Sequence, residues 1–127
     1  MEDGEPEIGE RRLQEALACL ERVLRPVIRS NDYIVAHWYE TFRRLPGSLG
    51  KPRKTLVVSL RRSGSPSHNA RLLLWTENGA TVTACLDWPD DPHLGRLLGD
   101  SPDDGELKSW LEFVAQEFAR FVLERLG

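Results

Sequence analysis

The stretch Ala70-Arg71-Leu72-Leu73-Leu74-Trp75-Thr76-Glu77-Asn78-Gly79-Ala80-Thr81-Val82-Thr83-Ala84-Cys85-Leu86-Asp87 decides the fold. Asn78-Gly79 is the pair that best accepts the positive φ angles of a type I′ turn, and β-formers flank it on both sides. A hairpin is expected, with strands at 70–77 and 80–87. A two-residue loop would set Glu77 opposite Ala80, Trp75 opposite Val82, Leu73 opposite Ala84 and Leu72 opposite Cys85. One side then holds Leu73, Trp75, Val82, Ala84 and Leu86, and the other Leu72, Leu74, Thr83 and Cys85. Neither side reads as solvated.

Upstream, residues 55–62 alternate as a strand, with Leu56, Val58 and Leu60 on one face and Val57 and Ser59 on the other. Residues 63–67 are too small and polar to pack and predict a mobile surface loop, and the proline- and glycine-rich 46–54 predicts a connecting loop. From Glu10 the spacing of Leu13, Ala16, Leu17, Leu20, Leu24, Val27 and Ile28 marks an amphipathic helix, with a kink or stop near Arg25 because Pro26 cannot donate to the helix ladder. A second helix, capped by Ser30 or Asn31, is expected to carry Ile34, Val35, Trp38, Phe42 and Leu45.

Downstream, Asp91-Pro92 predicts an N-cap and first turn of a short helix over 92–98. Ser101-Pro102-Asp103-Asp104 opens the last helix, whose stripe is Leu107, Trp110, Leu111, Val114, Phe118, Phe121, Val122 and Leu126. The expected fold is α+β: N-terminal helices, a three-stranded antiparallel β-meander and a long C-terminal helix packed on the sheet. Residues 1–9 read as a flexible acidic N-terminus and 10–127 as a single domain.

At 127 residues, with 40% hydrophobic and 29% charged residues, a core needs no metal or disulfide staple. Cys19 and Cys85 have no second Cys or His at ligand spacing and suit a reducing compartment. The acidic start is unlike a signal peptide, and no apolar run has membrane length, so a cytoplasmic location without membrane contact is expected.

The net charge of −3 hides a partition. Residues 1–40 carry nine acids and five bases, residues 41–76 eight bases and no acid, and residues 77–127 eleven acids and four bases. The basic set, Arg43, Arg44, Lys51, Arg53, Lys54, Arg61, Arg62 and Arg71, is the candidate polyanion-binding surface, with nucleic acid as its partner. The same residues would pair internally if the acidic last third folds over them. Arg61-Arg62-Ser63 and Ser65-Pro66 also read as kinase-accessible.

His37, His68 and His93 are scattered, and the acids 87–104 lack the offsets of a calcium loop. Phosphate loops and nucleophile elbows are missing from the chain, so no cofactor, metal or catalytic residue is assigned. Binding is favoured over chemistry. The leading expectation is a protein-binding module or complex subunit, of adaptor, chaperone-like or immunity type. It would use a sheet face formed by Val57, Leu72, Leu74, Thr83 and Cys85, with a protein partner or self-association.

From residue 31 to 126 the expected order helix, three strands, helix is similar to that of double-stranded RNA-binding domains, and Pro66-Ser67-His68 resembles the Pro-x-His of their first hairpin loop. Asp103 and Asp104 stand where that family has a Lys-Lys phosphate clamp. The chain is not assigned to the family.

Overall fold

The computed structural model describes residues 8–42, 53–64, 69–76, 81–89, 91–102 and 106–126. In chain order these form α1 (Ile8–Asn31), β1 (Tyr33–Phe42), β2 (Arg53–Arg62), β3 (Asn69–Thr76), β4 (Val82–Asp87), a 3-10 turn (Pro92–Leu94), β5 (Arg96–Asp100) and α2 (Leu107–Leu126). The strands make one antiparallel meander in the order β1-β2-β3-β4-β5. The fold is α+β, as expected, with five strands instead of three and one N-terminal helix instead of two.

Pro26 lies inside α1 without ending it. The helix stops at Asn31, whose side-chain amide donates to the Val27 carbonyl at 3.0 Å, and Asp32 follows with φ 56°. A residue in the left-handed region is the usual helix terminator, and Asp tolerates it better than most. The Asp32 carbonyl then accepts the Ser63 amide at 3.1 Å, tying the helix exit to the end of β2.

Residues 33–42 are an edge strand, not the second helix. The three- and four-residue spacing of Ile34, Val35, Trp38 and Phe42 imitates a helical stripe. Yet Tyr33, Ile34, Val35, Trp38, Tyr39, Thr41 and Phe42 are all β-branched or aromatic and favour a pleated surface. Residues 92–98 are likewise not a helix. Asp91 does cap the turn there, its Oδ1 accepting the His93 amide at 3.1 Å, but the chain then extends into β5. Val82 and Ser101 fix that return, through an amide-to-hydroxyl bond of 2.9 Å and a backbone bond of 2.7 Å.

The hairpin register is displaced by one residue from the expected one. Thr76 pairs with Val82, Trp75 with Thr83, Leu73 with Cys85 and Leu72 with Leu86. Five residues therefore separate the last pair, where a two-residue turn would leave four. Asn78-Gly79 lies outside the described residues. Because side chains alternate, the slip reassigns partners across the hairpin.

Both helices pack on one face of the sheet, α1 against β1, β3 and β4 and α2 against β2, β3 and β4. Leu13, Ala16, Leu20 and Leu24 of α1 and Leu111, Val114, Phe118 and Val122 of α2 enclose Leu56, Val58, Leu60, Leu72, Leu74, Val82, Ala84 and Leu86. Trp88 closes one end by an edge-on contact with Phe121, ring centres 6.4 Å apart. Among the described residues no helix is long and apolar enough to cross a membrane.

Candidate functional site

Alternation along each strand gives the sheet a second face, turned away from α1 and α2. The registers align one residue from each strand across it: Trp38 opposite Val57, Val57 opposite Leu73, Leu73 opposite Cys85 and Cys85 opposite Leu97. This apolar row spans all five strands. Val57, Leu73, Trp75 and Cys85 form a buried cluster of their own, with Trp38 packed against it. The row is buried at its centre and opens at its ends. Leu97 on β5 is 50% exposed, and Ile34, on the same face of β1 as Trp38, is 38% exposed.

Polar pairs border the row. On one side Ala36, Ser59, Arg71 and Asp87 align across β1 to β4, and Arg71 grips Asp87 through Nε at 3.0 Å and Nη2 at 2.9 Å. On the other, Thr83 donates to Asp100 at 2.8 Å and Trp38 Nε1 donates to Glu40 at 2.6 Å. The Arg71–Asp87 and Thr83–Asp100 pairs cross between strands, contribute roughly 0.2–1 kcal/mol each and hold the register that keeps the apolar row aligned, whereas Trp38 and Glu40 share β1.

The five residues expected to share a binding face do not share one. Val57, Thr83 and Cys85 lie on the second face. Leu72 and Leu74 point into the helix-covered core, and Leu73 and Trp75 take their places. Trp38, Ile34 and Leu97 were missed because residues 33–42 and 96–100 did not read as strands. Their β-branched and aromatic content was the signal for the first, while Arg96-Leu97-Leu98-Gly99-Asp100 offers almost none.

The candidate cations divide. Arg43, Arg44 and Lys51 lie outside the described residues, and Arg53 begins β2. Arg71 is committed to Asp87, and Lys54 sits over the Tyr39 ring at 5.1 Å. Arg61 and Arg62 end β2 on opposite faces, beside the exit of α1 where Arg25 and Arg29 are exposed. Half of the acidic run also has structural duties: Asp87 on Arg71, Asp91 at its cap and Asp100 on Thr83. His37 lies 3.9 Å from Glu21, His93 is exposed and His68 lies outside the described residues. Among the described residues no three His, Cys, Asp or Glu side chains gather as a metal site.

Cys85 is pushed up to about 11, first by burial and then by the Asp87 carboxylate, against an opposing backbone hydrogen bond from Arg96. Its Sγ–H donates to the Leu86 carbonyl at 3.3 Å, as a protonated thiol should. The thiolate is the nucleophile, so Cys85 is inert at neutral pH. Below pH 9 the thiol is protonated whether the chain is folded or not, and its contribution is complete. Between pH 9 and 11 only the unfolded chain gives up the proton, so stability falls by on the order of 2–3 kcal/mol. Urea titrations at pH 8 and pH 11 should show this extra loss in the natural chain and not in Cys85→Ala. An equal loss in both would assign the alkaline sensitivity elsewhere.

What these residues define is a five-stranded antiparallel meander with helices on one face and an apolar row across the other. The chain matches no protein-family model, no curated protein and no solved structure.

Proposed function

We propose that this chain is a non-enzymatic protein-binding module or complex subunit that engages its partner along the rims of the second sheet face. The observation that carries the reading is the apolar row from Trp38 to Leu97, half exposed at Leu97 on one edge of the sheet and, on the other, partly buried at Trp38 on the strand that also exposes Ile34. Exposed large apolar side chains beside paired charges are the usual make-up of an interface with a wet border. A chaperone-like, adaptor or immunity role fits this make-up, and a cytoplasmic setting suits its two free thiols.

Capture from the native cell tests it, comparing the natural chain with Leu97→Asp. Because Leu97 is half exposed, the substitution should leave the fold intact, and a stoichiometric protein partner should be lost or reduced at least tenfold. Capture that ignores Leu97→Asp, or that disappears on nuclease treatment, would overturn the reading.

The second reading, polyanion binding, is supported by Arg61 and Arg62, which carry no ion pair among the described residues. It predicts duplex or RNA affinity that falls steeply with salt and drops when both become Ala. No salt-sensitive binding at low ionic strength would remove it.

A further inference from the structure

We propose that the outer edge of β1 pairs with β1 of a second copy of this chain, antiparallel and about a two-fold axis at Trp38, to join two five-stranded sheets into one of ten strands. The proposal rests on the protein-binding reading and names the partner for the edge at which the apolar row ends.

The two sheet edges are built differently. β5 has five residues, a register shift opposite Ala84 and Cys85, Gly99 at φ 107°, and charged Arg96 and Asp100 at its ends. Those are the devices by which proteins blunt an edge against pairing. β1 has no register shift and no glycine, and Glu40 is its one carboxylate. It runs ten residues, about 34 Å, in unbroken register with β2 from Tyr33 to Phe42. It contains no proline, lysine or arginine, and no described strand covers its outer side. Ile34, Ala36, His37, Glu40 and Thr41 along it are exposed.

Charge and alternation select the occupant and the register. In an antiparallel self-pair, opposite residues share a face, so the axis passes through one residue position. An axis at Ala36 would set Asp32 against Glu40, and one at Glu40 would set two Glu40 carboxylates together, both like-charge clashes. An axis at His37 or Tyr39 sets Trp38 against Ala36 or Glu40 and breaks the apolar row. An axis at Trp38 opposes Trp38 to Trp38, Ala36 to Glu40 and His37 to Tyr39. It meets no like charge and continues the row from Leu97 of one copy to Leu97 of the other. A strand that matches itself in this way is what a closed two-fold interface requires.

Sedimentation equilibrium of the purified full chain, with Ala36→Lys and Ala36→Glu, tests both the dimer and its register. Position 36 is exposed, and each substitution acts twice across the axis. The natural chain should dimerise. Ala36→Lys sets a cation opposite each Glu40 and should tighten the dimer on the order of 2- to 30-fold, and Ala36→Glu should loosen it by a similar factor. Circular dichroism should show all three folded alike. A chain monomeric at every concentration overturns the proposal, as does a dimer that responds equally to both substitutions. A monomer that still captures a Leu97-dependent partner would retire the dimer while leaving the protein-binding reading in place.

Discussion

Trp75→Ala is expected to lower the unfolding free energy by about 3–5 kcal/mol, the usual cost of truncating a large buried aromatic. Trp75 heads the fully buried side chains and belongs to the small cluster on the second face, with Val57, Leu73 and Cys85. Where the cost falls within that range is set by how far Val57, Leu73 and Cys85 close on the space left behind. Urea denaturation followed by circular dichroism measures it. A loss below about 1 kcal/mol would mean that Trp75 is not packed as described.

Phe118→Ala carries the second large effect, again about 3–5 kcal/mol, from the opposite face. Phe118 is fully buried where α2 meets the sheet, with Leu111, Val114 and Val122 on the same stripe. The two sites differ in consequence. Losing Phe118 loosens the helix layer, whereas losing Trp75 slackens the surface assigned to binding. A protein of this size has only about 5–15 kcal/mol to lose, so either substitution should bring the thermal midpoint down by many degrees. Phe113→Ala on the outer side of α2, where the ring is 46% exposed, should change stability by less than about 0.5 kcal/mol. Equal losses for Phe113 and Phe118 would contradict the helix orientation.

The C-terminal helix was legible from its spacing of three and four, and strands β2 to β4 from runs of β-formers bounded by turn residues. β1 was not, because its apolar residues, drawn from both faces, fall at three- and four-residue spacing. Val35 and Tyr39 serve the helix-side core while Trp38 serves the other cluster, and the mixture imitates a helical stripe. Pro26 misled in the same way, since a local breaker loses to the tertiary packing of the stripe around it. The hairpin shows how little separates a right strand assignment from a wrong face. One residue of register moved Leu73 and Trp75 from beside Val82 to beside Cys85. Arg71 read as a free cation because its partner lies sixteen positions away, where only the β3–β4 register could place it.

Site-specific photo-crosslinking from position 97 in the native cell tests the central claim most directly. Position 123, also an exposed leucine but on the far side of α2, is the control. A discrete protein adduct at 97 that survives nuclease treatment, with none at 123, is the expected result. Adducts at both positions, or at neither, or only to nucleic acid, would contradict the claim that this chain meets a protein along the rim of its second sheet face.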